Sequence, residues 1–134
     1  MRVVLDTNVF ISGLLWSGPP SLALAACLDG VAELVTAEPI LAELVGTLTR
    51  EFAVPGDRAT AMAARIRSGA TVAAIAGRHG WVIADPDDDK FVEAAIVGQA
   101  DAIVSGDRDL RRLGTIEGIP VWTPREFLDQ LAAP

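Results

Sequence analysis

The chain has 134 residues, 51% of them hydrophobic, and a formal net charge of −7. That length and composition suit one compact domain over residues 1–134 with a sizeable core, and they exclude a disordered or low-complexity chain. No apolar run approaches the ~20 residues of a membrane span, the lone Cys27 excludes an internal disulfide and a cysteine-rich zinc site, and the acidic total argues against a nucleic-acid binder driven by an overall basic surface.

Arg2 to Leu5 is a short apolar run that stops at Asp6-Thr7-Asn8 before a second apolar segment, Val9 to Leu15, with helical spacing. This reads as a buried strand that delivers an acid to its own C-terminal end, with a helix beginning at Thr7 or Asn8. No basic stretch of a signal peptide precedes it, so a soluble, cytoplasmic protein with no membrane partner is expected. Asp6 is then either a helix cap or a site residue, since ligands of open α/β sheets bind outside the carboxyl ends of the strands.

Trp16-Ser17-Gly18-Pro19-Pro20 breaks the chain. Ser21 opens an alanine-rich helix from Leu22 to Leu28 that holds Cys27, and Val31 to Thr36 follows as the second strand. Ala37-Glu38-Pro39 opens a helix that runs to about Arg50 or Phe52 and carries Ile40, Leu41, Leu44, Val45 and Leu48 at helical spacing, with Glu43 near one edge of that stripe. Pro55-Gly56-Asp57 turns the chain into a helix from Arg58 to about Arg67. Thr71 to Ile75 is expected as the third strand, and Ala76 to Ala84, with Gly77 and Gly80, as a loop.

Asp85-Pro86-Asp87-Asp88-Asp89 runs into a helix whose apolar positions are Phe91, Val92, Ala94, Ala95 and Ile96. Acids in a first turn suit the helix dipole, but four aspartates in five residues repel one another, and a bound cation relieves that repulsion. Ala102 to Val104 is a fourth strand ending in Ser105-Gly106-Asp107-Arg108-Asp109, followed by a helix from Leu110 to Leu113. Thr115 to Gly118 reads as a turn, Ile119 to Thr123 as a fifth strand, and Pro124 starts the last helix. Alternating strands and helices imply a parallel sheet with helices on both faces.

The carboxyl ends of parallel strands share one edge, so Asp6 and Asp107 converge if strands one and four are neighbours. Clustered carboxylates without cysteine or a second histidine suit Mg²⁺ or Mn²⁺, as one ion or two. Such a site supports hydrolysis of a phosphodiester, hence cleavage of a nucleic-acid backbone. Arg108, Arg111 and Arg112 lie just past Asp107 and are candidates for phosphate contact. Trp16, Trp81 and Trp122 are base-stacking types, although packing explains each of them, and His79 reads as a loop bystander.

The run Val4-Leu5-Asp6-Thr7-Asn8-Val9, the helix Ile40-Leu41-Ala42-Glu43-Leu44, the block Asp85-Pro86-Asp87-Asp88-Asp89-Lys90-Phe91 and the block Val104-Ser105-Gly106-Asp107-Arg108-Asp109-Leu110 resemble the successive signatures of PIN domains, in particular the VapC-like ribonucleases of bacterial toxin–antitoxin systems. The resemblance implies a three-layer α/β/α fold with a five-stranded parallel sheet, strand one central, in the order 3-2-1-4-5. It implies that Asp6, Glu43, Asp89 and Asp107 form the catalytic, metal-binding pocket, Glu43 acting through water and Asp109 as a further ligand candidate. Asp89 is preferred to Asp87 and Asp88 because it stands seven residues before Ile96, in the first turn of the helix. Asn8 and Ser105 fall at positions that support the pocket by hydrogen bonding.

By the same resemblance the substrate is single-stranded RNA, the partner a small antitoxin protein, and the assembly a homodimer. The alternative is a PIN-like scaffold that binds RNA or protein and cuts weakly or not at all. A receiver domain is disfavoured, because it needs a lysine near the end of strand five and the sole lysine is Lys90. A haloacid-dehalogenase-type phosphatase is disfavoured because Asp6-Thr7-Asn8 lacks the second aspartate of its motif.

Overall fold

In the computed structural model, which describes residues 1–134, the elements follow in the order β1 (Arg2–Leu5), α1 (Thr7–Leu15), α2 (Pro19–Leu28), β2 (Glu33–Thr36), α3 (Glu38–Glu51), α4 (Gly56–Ser68), β3 (Ala70–Val72), α5 (Asp89–Val97), β4 (Ala102–Val104), α6 (Arg108–Arg111), β5 (Thr115–Ile116), β6 (Ile119–Trp122) and α7 (Pro124–Ala132). A single 3₁₀ turn, Pro86–Asp88, leads directly into α5.

The sheet is ordered β3-β2-β1-β4-β6-β5. β1 lies between two parallel neighbours, Val4 facing Val35 on one side and Ile103 on the other. Val3, Val4 and Leu5 are fully buried, which is why β1 reads as an unbroken apolar run: helices cover both of its faces. Each such side chain stabilises the fold by about 1.5–3 kcal/mol relative to exposure. α5 packs across β1, β2 and β4, while α1, α2 and α7 pack together in the opposite layer, with α3 and α4 continuing it.

The expected order 3-2-1-4-5 is present as β3-β2-β1-β4-β6. The structure adds one strand at the edge where a turn was expected. Thr115 and Ile116 pair antiparallel with Pro120 and Ile119 through the two-residue loop Glu117-Gly118. Both loop residues have positive φ, +51° and +79°, the backbone that joins the tightest hairpins.

Other boundaries move for local reasons. Pro19 and Pro20 occupy the first turn of α2 rather than the break before it, where a missing N–H costs nothing. α2 leaves α1 at 97°. Gly13 permits that corner, because a Cβ there would stand 2.9 Å from the Pro20 carbonyl oxygen. α6 starts at Arg108, two residues early, because Asp107 caps it. Cys27 is buried and its thiol is pushed up to about 12 by burial, as befits a packing residue. No single helix is long and apolar enough to cross a membrane.

Candidate functional site

Three chain segments meet at the carboxyl edge of the sheet: the end of β1 with Asp6, the end of β4 with Ser105 and Asp107, and the 3₁₀ turn before α5 with Asp85 and Asp88. Parallel pairing of Leu5 with Val104 puts the two strand ends side by side, and the Asp6 N–H still donates to the Val104 carbonyl at 3.1 Å. Asp6, only 3% exposed, divides its carboxylate between two tasks. Its Oδ1 accepts the Val9 N–H at 2.8 Å and caps α1, and its Oδ2 accepts the Ser105 hydroxyl. The Ser105 oxygen in turn accepts the Asp107 N–H at 2.9 Å, and Asp107 Oδ1 accepts the Asp109 N–H at 2.9 Å. Asp6 and Asp107 therefore each cap a helix while Ser105 links the two at the strand ends.

Carboxylate oxygens of Asp85, Asp88 and Asp107 all lie within 4.8 Å of one another. Burial pushes Asp6 up to about 6, with Asp107 and Glu43 adding like charge, against the opposing hydrogen bonds from Ser105 and Val9. Asp88 is pushed up to about 8, first by burial, then by a hydrogen bond with Asp107 and by the charges of Asp85, Asp107 and Asp6. Its Oδ2 is buried with no hydrogen-bond partner. An orphaned carboxylate oxygen among acids that resist ionising together is the donor set a hard divalent cation takes, so the residues present fit such an ion.

Asp89 stands outside this group, which corrects the expectation drawn from helix position. It is 2% exposed and both its oxygens are occupied by a neighbouring loop. Oδ2 accepts the Gly80 N–H at 3.0 Å, and Oδ1 accepts the N–H groups of Trp81 at 3.1 Å and Val82 at 2.7 Å. The 3₁₀ turn aims Asp88 at Asp107 and leaves Asp89 facing the other way. One turn further along α5, Glu93, also 2% exposed, accepts N–H groups from Ala76 at 2.7 Å, Gly77 at 2.9 Å and Arg78 at 2.8 Å. Against the upward push of burial, these three donors and Arg78 hold Glu93 below the usual glutamate range. Glu93 escaped the sequence reading, although a glutamate interrupting the apolar set Phe91–Ile96 was its signal.

Glu43 lies close enough to raise Asp6, yet its own carboxylate is ion-paired with Lys90. Lys90 Nζ also donates to the Asp87 carbonyl at 2.5 Å, so it ties α3 to the acidic turn. Asn8 is a second correction: it is exposed and takes no part in the hydrogen bonds around Asp6, facing instead a small depression with Ser12, Gly106 and Pro124. A third is Asp109, whose side chain lines a pocket of about 180 Å³ with Trp81 and Arg112, separate from the acidic group. Arg108 and Arg111 are exposed beside α6. His79 lies across a cleft of about 260 Å³ from Asp87 and Lys90, and Trp16 packs edge-on against Phe52 at 5.6 Å.

A PIN domain profile matches residues 2–109. Among solved structures the chain is similar to one in the VapBC2 complex of Rickettsia felis, solved bound to a DNA fragment from its promoter, with a TM-score of 0.63 at 14% identity over 92% of this chain and 98% of that one. It is also similar to PAE2754 from Pyrobaculum aerophilum, with a TM-score of 0.63 at 15% identity over all of this chain and 91% of that one. No curated protein matches it. With four signature blocks in order, the fold they specify and a profile match covering most of its length, the chain belongs to the PIN domain family.

Proposed function

We propose that the chain is a ribonuclease that depends on Mg²⁺ or Mn²⁺, hydrolyses phosphodiester bonds of single-stranded RNA in the cytoplasm, and serves as the toxin of a toxin–antitoxin pair. The observation that carries this reading is the convergence of Asp85, Asp88 and Asp107, with Asp6 beside them and one buried Asp88 oxygen left without a partner. Asp6, Asp88 and Asp107 would hold the ion, Asp85 completing the set and Glu43 contributing through water. When bound, the ion supplies acidification of water and neutralisation of charge on the phosphodiester.

The chain's own groups do the rest. Ser105 fixes the oxygens of Asp6 and the backbone of Asp107 relative to each other, which is the preorganisation a charged site needs. The exposed Arg108, next to Asp107, would take a phosphate oxygen of the strand, with Arg111 and Arg112, also exposed, as further cationic contacts. Without a cation the acids repel RNA, so binding of substrate and of metal are coupled. Likeness to a chain of the VapBC2 complex supports a small antitoxin as the protein partner.

The deciding experiment incubates purified protein with end-labelled single-stranded RNA in Mg²⁺ or Mn²⁺. Cleavage is expected, and is expected to vanish in EDTA and in both Asp6→Asn and Asp107→Asn. Cleavage that persists in EDTA, or in both variants, overturns the mechanism; intact RNA with tight binding supports the scaffold alternative.

A further inference from the structure

Resting on that reading of the chain as an RNA hydrolase, we propose that the pocket between Trp81 and Arg112 is a nucleobase subsite that selects an unpaired guanine beside the acidic centre. The pocket measures about 180 Å³, below the roughly 300 Å³ at which pockets for larger ligands begin. Its apolar lining is Trp81, Val82, Ile83, Ala84 and Leu113, with Trp81 the one flat aromatic face, and its two polar contributors are Asp109 and Arg112. The Arg78 guanidinium stands 5.2 Å from the centroid of the Trp81 ring and backs it.

Asp109 and Arg112 line the same pocket yet form no ion pair with each other. The ion pairs of the chain are Arg2 with Glu33, Arg67 with Glu38 and Lys90 with Glu43. A carboxylate and a guanidinium thus both present unused hydrogen-bonding capacity to whatever enters between them. A carboxylate only accepts, so it pairs best with two donors placed side by side. Of the four RNA bases only guanine has that edge, N1–H next to the exocyclic N2–H. Adenine, cytosine and uracil each set an acceptor beside a donor, which a carboxylate repels. Aromatic and apolar walls with one edge-reading group are how unpaired bases are held.

The position links the pocket to the reaction. Asp109 follows Asp107 by two residues and its N–H is bonded to the Asp107 carboxylate at 2.9 Å. Also in the lining, the Val82 N–H is bonded at 2.7 Å to Asp89, the neighbour of Asp88. Two parts of the lining are therefore fixed to segments that carry the acids, and a base lodged in the pocket brings its own phosphate toward the acidic edge.

Nucleosides titrated into the EDTA-treated protein test this without turnover and without a phosphate, with the three tryptophan indole N–H signals followed by NMR. Guanosine is expected to shift the Trp81 signal and leave those of Trp16 and Trp122 in place, while uridine, cytidine and adenosine act about tenfold more weakly or not at all. In Asp109→Asn, a change at a half-buried position that keeps the size of the side chain, the guanosine response is expected to fall about tenfold with the spectrum otherwise folded. No Trp81 response up to the solubility limit of guanosine, an equal response to all four nucleosides, or an undiminished response in Asp109→Asn overturns the proposal. Absence of RNA cleavage would sink the hydrolase reading alone, because this measurement needs none.

Discussion

The Ser105 hydroxyl donates to Asp6 Oδ2 while its oxygen accepts the Asp107 N–H at 2.9 Å, so one fully buried side chain sets the spacing of two acids carried by neighbouring strands. Removing it leaves a buried Asp6 carboxylate oxygen and the half-buried Asp107 N–H without this partner. Ser105→Ala is expected to cost about 1–3 kcal/mol of stability and to lower RNA cleavage at least tenfold at equal metal concentration, read from denaturant unfolding and initial rates. A threonine at this position restores the hydroxyl but adds a methyl group to a site with no free surface, so Ser105→Thr should recover only part of the rate. Full activity in Ser105→Ala would show that Asp6 and Asp107 hold their places unaided.

Asp88 and Asp89 are adjacent in sequence and opposite in role, and amide substitutions separate them. Asp88→Asn removes a carboxylate whose proton is already held tightly and relieves repulsion with Asp107 and Asp85. Cleavage should be lost, with the metal-free Tm unchanged or raised. Asp89→Asn replaces an oxygen that accepts backbone N–H groups by an amide that donates. It should lower stability by about 2–3 kcal/mol, the scale of a charge-assisted hydrogen bond left unmade, while retaining measurable cleavage. The reverse pattern, a stable but dead Asp89→Asn, would return Asp89 to the centre of the site.

These two residues also show where sequence stops being legible. Strands β1, β2 and β4 announce themselves because sheets covered on both faces leave apolar runs, and the convergence of Asp6 with Asp107 follows from parallel order alone. The choice within Asp85–Asp89 does not follow. A 3₁₀ turn advances about 120° per residue and an α-helix about 100°, so the three-residue 3₁₀ turn before α5 rotates the aspartates by up to about 60° from their helical directions, which a reading from helix position leaves out. β5 was hidden for another reason: Thr115 and Ile116 are both β-branched, but two residues are too short a run to show a strand's alternation. Asp109 was a ligand candidate through the family resemblance, but Asp107 caps α6, and Asp109, in the first turn of that helix, lines the neighbouring pocket.

Glu93 and Asp89 together fix the loop from Ala76 to Val82, each taking three backbone N–H groups. A loop with two glycines at positive φ, Gly77 and Gly80, has little of its own to hold it. Glu93→Gln is expected to speed hydrogen exchange of the Ala76, Gly77 and Arg78 amides at least tenfold while the β1 amides exchange at their former rate. It should also weaken RNA binding more than the chemical step, raising KM with kcat nearly unchanged, since Arg78 and Trp81 ride on this loop. Unchanged loop exchange in Glu93→Gln would mean that packing of Val82 suffices to hold the segment.

The raised carboxylates make stability depend on pH in a direction opposite to that of ordinary acid denaturation. Asp6 and Asp88 bind protons more tightly folded, at about 6 and about 8, than at their ordinary value of 3.8. Their contribution is thus greatest below pH ~4 and is lost as pH rises through those two values. For Asp6 alone the difference reaches at most about 3 kcal/mol. Glu38, Glu93 and Glu126, held below the usual glutamate range, act the other way, but only as pH falls below about 4.5. Between pH 5 and 8.5 the Tm in EDTA should therefore decline. Millimolar Mg²⁺ should raise it more at pH 8.5 than at pH 5, where protons compete for the same oxygens. Asp88→Asn should flatten both the decline and the gain. A Tm that climbs across this window in EDTA, or a Mg²⁺ gain equal at both ends of it, would mean that these acids neither share their protons nor exchange them for a cation.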